Sequence, residues 1–250
     1  MKLSAVIITF NEEMNIRRCL ASLVGAADEI VVLDSFSTDN TAEICSDFPA
    51  VKFHQREWTG YSDAKNYANS LATNDFILSV DADETLSDKL KNSILEVKDS
   101  LEPDVAFSMN RLNNYCGKWI RHCGWYPDTK IRIWNRNSGC WSGALHEKLV
   151  FNTKMKIEKL DGDLLHFTCS SLENHLKQIE KFTNIAAEEM YNNNVKFSSI
   201  KMYVKSFAKF LSSYLLYLGF LDGHYGFVIS KMAAHSVLRK YQKLRIISRK

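Results

Sequence analysis

With 250 residues, 46% hydrophobic and 24% charged, the chain can bury a sizeable core, which excludes intrinsic disorder. It shows no internal repeat and no low-complexity stretch, so repeat architectures are excluded as well. The net charge of +3 conceals an asymmetry: residues 191–250 hold eleven Lys and Arg against one acid, Asp222, a net +10 that leaves −7 for residues 1–190. An acidic body with a basic, aromatic tail points to a partner that is itself negative.

The unbroken apolar runs Ala5–Ile8 and Ile30–Leu33 read as strands covered on both faces. Between them Ile16, Cys19, Leu20, Leu23 and Val24 share one helical face. Thr38 or Asp39 opens a second helix, Val51–Phe53 is a short third strand, and Tyr61, Ala64, Ala68, Leu71 and Ala72 mark another helix. Phe76–Val80 is the fourth strand and runs directly into Asp81-Ala82-Asp83-Glu84; Thr85-x-x-Asp88 then opens a helix carrying Leu86, Leu90, Ile94 and Val97. This rhythm predicts an α/β fold with a doubly wound, mostly parallel sheet and flanking helices. After residue 104 come short strands, at Val105–Met109, Lys130–Trp134, Lys148–Phe151 and Met155–Lys159, around a long aromatic loop from Asn113 to Asp128. Ser170-x-x-Glu173 opens a long helix, and a helical, basic C-terminal extension follows. The division expected is residues 1–110 for the donor half, 111–194 for the acceptor half of the same domain, and 195–250 for the extension.

Val6-Ile7-Ile8 is too short for a secretory signal and no cleavage site follows, so a cytoplasmic protein with reduced cysteines is expected. Ligands of open α/β sheets bind beyond the carboxyl ends of the strands. The first strand end offers Thr9, Asn11 and Glu12, the second Asp34, Ser35 and Asp39, and the fourth Asp81 and Asp83. There is no G-x-G-x-x-G and no P-loop lysine motif. Carboxylates gathered there repel a bare pyrophosphate, and a divalent cation, Mg²⁺ or Mn²⁺, held by Asp83 with Asp81, resolves the conflict.

Thr9-Phe10-Asn11-Glu12, Val31-Val32-Leu33-Asp34-Ser35-x-Ser37-x-Asp39-x-Thr41 and Asp81-Ala82-Asp83 resemble the successive signatures of glycosyltransferase family 2, inverting enzymes with a GT-A fold. Gly124-Trp125-Tyr126-Pro127-Asp128, Ile131-Arg132 and His146-Glu147 resemble the branch that builds lipopolysaccharide or lipooligosaccharide core. The resemblance implies that Thr9, Glu12 and Asp34 meet the nucleoside, Asp81 the ribose and Asp83 the metal, with Lys65 near the donor. It implies a nucleotide-sugar donor, UDP-linked and carrying glucose or another hexose, and a glycan or lipid-linked glycan acceptor. The base that deprotonates the acceptor hydroxyl is Glu147 or Asp128, with Glu147 preferred. Trp125, Tyr126, Arg132 and His146 are the candidate acceptor contacts, and one or two of Trp119, Trp125, Trp134 and Trp141 are expected to meet sugar.

Two other readings remain open on the sequence: a metal-dependent nucleotidyltransferase, and a non-catalytic nucleotide-sugar-binding scaffold. Nucleic acid is not an expected partner, because the body is acidic and carries no nucleic-acid-binding motif. In the tail, Ile200, Tyr203, Val204, Phe207, Leu211, Tyr214, Leu215 and Leu218 form one helical stripe, with Lys201, Lys205 and Lys209 recurring every four residues. The charge-free run Phe210–Leu221 has twelve residues, short of the roughly twenty needed to span hydrocarbon. The stripe is therefore expected to lie on the inner face of the cytoplasmic membrane, or else to pack on the acidic body or on a second subunit of a homo-oligomer.

Overall fold

The structure, a computed structural model, describes residues 1–143 and 147–248. Its elements run β1 (Leu3–Thr9), α1 (Ile16–Leu23), β2 (Glu29–Asp34), α2 (Thr41–Ser46), β3 (Val51–Gln55), α3 (Tyr61–Leu71), β4 (Phe76–Ser79), β5 (Glu84–Leu86) and α4 (Asp88–Lys98). They continue with β6 (Val105–Tyr115), β7 (Lys118–Ile120), β8 (Asp128–Asn135), β9 (Gly139–Ser142), β10 (Lys148–Phe151) and β11 (Lys156–Cys169). Three long helices close the chain: α5 (Leu172–Asn192), α6 (Ser199–Leu211) and α7 (Gly223–Ile247). Two compact units result, Met1–Arg111 with Asp128–Phe167, and Leu112–Pro127 with Thr168–Lys250.

In the first unit the sheet order is β3-β2-β1-β4-β8-β6-β11-β5. The first four strands in that order are parallel, and β8 joins β4 antiparallel. The parallel core explains the unbroken apolar runs. Ala5 and Ile7 of β1 pack with Ile16, Cys19, Leu20 and Leu23 of α1, while Val6, one residue out of phase, joins Ala64 and Ala68 of α3. A strand covered on both faces has no solvent side on which to alternate. The expected α/β fold with helices on both faces is therefore present; β8, β6, β11, β5 and β7 extend the same sheet, while β9 and β10 pair antiparallel as a separate two-stranded sheet.

Two expected helix starts are corrected. Thr85 caps no helix: it lies in β5, which pairs antiparallel with Leu164–His166 of β11, and Ser87 accepts the Leu90 N–H at 3.3 Å as the cap of α4. That pairing joins segments about eighty residues apart, which no local pattern reports. Gly162 permits it. Its φ is +96°, and a Cβ there would meet the Leu90 nitrogen at 2.3 Å, so only glycine lets β11 pass the first turn of α4. Likewise Ser171, not Ser170, caps α5, accepting from the Asn174 N–H.

Glu29, at the start of β2, is a buried carboxylate that receives Lys52 Nζ at 2.6 Å, Ser4 Oγ at 2.5 Å and the Thr73 N–H at 2.8 Å. Burial opposes its ionisation, but these donors outweigh it and hold its pKa at about 2, below the ordinary 4.5. A folded-state pKa below the unfolded one stabilises the protein at neutral pH, and the contribution fades as pH falls from about 4.5 towards 2. Glu29→Gln is expected to lose about 2 kcal/mol at pH 7, with the difference from the parent shrinking towards pH 2 in urea unfolding.

Candidate active site

At the carboxyl end of β1, Thr9 is buried and its hydroxyl has no hydrogen-bond partner among the described residues, an acceptor and donor left over at the mouth of the sheet. Asn11 then turns the chain with φ +54°, and its side chain accepts the Thr38 N–H at 2.8 Å, tying the first loop to the second. The Glu12 backbone N–H donates to Thr41 Oγ1 at 2.8 Å. The Glu12 carboxylate accepts from Asn15 Nδ2 at 2.7 Å; burial, with Asp83 and Asp39 nearby, pushes its pKa up despite that bond.

Asp34 is fully buried. It accepts the Ser37 N–H at 2.9 Å, Gln55 Nε2 at 3.0 Å and the Ser37 hydroxyl, so its carboxylate organises the turn after β2. Asp39 does the same for the next turn, accepting from the Thr41 and Glu13 N–H groups at 3.0 and 3.1 Å.

β4 ends at Ser79, and the next residues turn at once, with the Glu84 N–H bonded to the Asp81 carbonyl at 2.9 Å. Both oxygens of Asp81 are held by cations: Lys65 Nζ lies 3.0 Å from Oδ1 and Arg132 Nη2 2.8 Å from Oδ2. Burial opposes ionisation of Asp81, but Arg132 and Lys65 prevail and hold it well below the usual carboxylate range. Lys65 is itself buried on α3. It also reaches Glu147 Oε1 at 3.2 Å and sits 4.6 Å from the centre of the Trp141 ring. One ammonium thus joins the end of β4 to the segment before β10.

Asp83 faces a different neighbour. Its Oδ2 lies 3.1 Å from Nε2 of His166 on β11. Two adjacent ligands of one octahedral ion, each roughly 2.1 Å from it, are about 3 Å apart. Oxygen from Asp83 and imidazole nitrogen from His166 therefore fit one Mg²⁺ or Mn²⁺, with the pair's spacing already set. Asp81 fits less well, since an added ion would compete with Lys65 and Arg132. Among the described residues no group of three or more His, Cys, Asp or Glu side chains is gathered to hold a metal, so the remaining ligands would be phosphate oxygens and water.

A cavity of about 620 Å³ opens beside Asp81, lined also by Arg111, Arg132, Trp141, Glu147 and Lys148. Arg132 is buried and anchored to Glu84 at 2.5 Å as well as to Asp81. The two base candidates differ here. Asp128 accepts Nε and Nη2 of Arg111 at 2.9 and 2.7 Å and Lys130 at 2.9 Å; burial opposes its ionisation, yet the two cations depress its pKa. Glu147 lines the cavity with one cation on one oxygen.

The profile of glycosyl transferase family 2 matches residues 4–207. The chain belongs to glycosyltransferase family 2. A Rickettsia typhi protein named an uncharacterized glycosyltransferase is 30% identical over 259 residues, covering 100% of this chain and 88% of that one. The lipopolysaccharide core biosynthesis glycosyltransferase LpsC of Rhizobium meliloti is 27% identical over 200 residues, covering 76% of this chain and 72% of that one. Among solved structures, TarS 1-349 of S. aureus in complex with UDP-GlcNAc aligns with 100% of this chain and 91% of that chain, at 16% identity and a TM-score of 0.49.

Of this family member's expected site residues, Thr9, Asn11, Glu12 and Asp34 lie at the ends of β1 and β2, and Lys65, Asp81, Arg132 and Glu147 form one bonded cluster. Trp125 and Tyr126 belong to the second unit, where Trp125 packs edge-on to Tyr115 at 5.8 Å and Tyr126 lies under Arg121. His146 is outside the described residues. Of the other tryptophans, Trp141 borders the cavity and Trp134 is core, packed against it edge-on at 5.6 Å. Sequence reasoning assigned no role to Glu84, Arg111 or His166. Glu84 directly follows Asp83 and carried a signal, being a third acid after a buried strand. His166, within an amphipathic strand, carried none.

Proposed function

We propose that the protein is an inverting, divalent-metal-dependent hexosyltransferase that moves a sugar, glucose or another hexose, from a nucleoside-diphosphate donor to a hydroxyl of a glycan. UDP is the proposed nucleotide, as the motif resemblance implies, and a lipid-linked glycan such as lipopolysaccharide core is the proposed acceptor, in keeping with the similarity to LpsC. Catalysis would take place on the cytoplasmic side of the inner membrane. The observation that carries the reading is the coupling of Asp81 to Glu147 through Lys65 at the wall of a sugar-sized cavity.

In this reading Thr9 and Glu12 contact the nucleoside, and Asp34 acts from beneath by holding Ser37 in its turn. Asp83 and His166 would hold the divalent ion, which when bound would neutralise charge on the departing diphosphate. Glu147 accepts the proton of the acceptor hydroxyl as that oxygen bonds to the anomeric carbon and the bond to nucleoside diphosphate breaks. Lys65, 3.2 Å from Oε1, fixes the orientation of Glu147. Trp141 offers an aromatic wall to a sugar ring, and Lys148 an exposed charge for an anionic acceptor.

A panel of nucleotide sugars tested for thermal stabilisation and slow hydrolysis, with and without Mn²⁺, checks the reading. The expected result is one nucleotide series that stabilises the protein and is hydrolysed only with metal. Binding with no turnover on any acceptor would favour the non-catalytic scaffold. The nucleotidyltransferase alternative has no support at the first loop: the segment after β1 holds Asn11, Glu12 and Glu13 where a basic, glycine-rich loop would be needed.

A further inference from the structure

In the second unit α6 is built inside out. The residues it buries are Met202 and Ser206, followed two turns on by Ser213. Ser206 donates to the Ala234 carbonyl of α7 at 2.9 Å, and Ser213 bonds Ser230 of α7 at 3.0 Å. Four of its large apolar residues, Ile200, Tyr203, Val204 and Phe207, are exposed, Ile200 by 77%, while Met202 is buried and Phe210 and Leu211 are half-buried. Helices that associate in hydrocarbon use small and hydroxyl-bearing residues between them and turn bulky apolar ones outwards. A helix in water does the reverse.

The exposed face continues into the turn joining α6 to α7. One π-helical turn (Ser212–Leu216) and one 3₁₀ turn (Gly219–Asp222) present Leu215, Leu216, Tyr217, Leu218, Phe220 and Leu221 to solvent, Leu216 by 78%. The tip is firmly built. A Cβ on Gly226 of α7 would meet the Gly219 carbonyl oxygen at 1.8 Å, so only glycine allows this approach. Asp222 accepts the His122 N–H at 2.8 Å, and the Cys123 N–H donates to the Tyr217 carbonyl at 2.9 Å. Leu218 sits at φ +54°, where a leucine is strained and a glycine or asparagine would rest easily. This tip keeps an apolar side chain at a backbone position unsuited to one.

An apolar surface of this extent on a water-soluble protein marks an interface, and the charge around it indicates the occupant. Lys201, Lys205 and Lys209 lie exposed beside the apolar face, without an acidic partner among the described residues. The second unit carries fifteen Lys and Arg against five Asp and Glu. A second copy would bring the same positive charge to the same face, whereas an anionic surface would neutralise it. Among the described residues no helix is long and apolar enough to cross a membrane.

We propose that the exposed face of α6 and the α6–α7 tip form a docking surface for an anionic lipid bilayer, the tip entering the acyl boundary and the lysines meeting headgroup phosphates. This goes beyond the transfer reaction and is independent of it, because neither donor nor acceptor takes part in binding.

The test is flotation of the full chain with vesicles of phosphatidylglycerol and phosphatidylcholine, against phosphatidylcholine alone. The parent should float with the anionic vesicles and lose most of that binding in high salt. The doubly substituted L216E/L221E and K201E/K205E proteins should each lose at least tenfold in bound fraction while melting at the parent temperature. Both pairs of side chains are exposed, so folding should not depend on them. A parent that stays unbound, or equal flotation with both lipid compositions, would overturn the proposal. So would variants that float like the parent, or a dimer in sedimentation that L216E/L221E dissociates, which would assign the face to a second copy.

Discussion

Replacing Glu147 by Gln is expected to lower turnover by on the order of a hundredfold or more while leaving donor affinity close to the parent value. The substitution keeps the shape and size of the side chain and removes the oxygen that takes the proton. Lys65 still has Asp81 at 3.0 Å, so the cluster at the end of β4 persists. Donor affinity should change little, because the proposed nucleoside and metal contacts are Thr9, Glu12, Asp83 and His166. Asp128 gives the contrast. Arg111 contacts one of its oxygens through two nitrogens and Lys130 holds the other. A carboxylate whose pKa is depressed by two cations is a weaker proton acceptor than one free on one side. Kinetics with a saturating acceptor and calorimetry with the nucleotide separate the two effects. An active Glu147→Gln protein beside an inactive, folded Asp128→Asn protein would transfer the role to Asp128.

Asp83→Ala is expected to abolish the dependence of nucleoside diphosphate binding on divalent metal. In the parent, Mn²⁺ should tighten that binding by roughly tenfold or more, and by linkage the nucleotide should tighten Mn²⁺ binding by the same factor. Removal of Asp83 takes away the oxygen of the only acid–imidazole pair so placed near β4 among the described residues. His166→Ala should act in the same direction. Asp81→Asn should differ: it deprives the buried Lys65 and Arg132 of a charged partner, so loss of stability should accompany any loss of binding. Titration calorimetry with UDP in the presence and absence of Mn²⁺ reads the first effect without any turnover. Equal affinity in both conditions would remove the metal from the account, and equal effects of Asp81 and Asp83 substitution would remove the distinction drawn between them.

The α/β core was legible because its information is local. Runs such as Ile30–Leu33 and the helical stripe from Ile16 to Leu23 record burial on their own periodicity, and the acids at Asp81 and Asp83 stand out because they end such a run. The family, and with it the class of reaction, followed from short motifs in order along the first 110 residues. Tertiary structure decided what depends on residues far apart in the chain. It separates Asp81, neutralised by Lys65 and Arg132, from Asp83, which meets His166 eighty-three positions later, although the two acids are two residues apart. It moves the start of α4 from Thr85 to Ser87, because β5 is drawn into the sheet by β11. In the tail, the sequence specified an amphipathic stripe but not which side of it would be covered. Only packing of Ser206 and Ser213 against α7 leaves the apolar side to solvent, since hydrogen bonds between two helices depend on three-dimensional approach and not on periodicity.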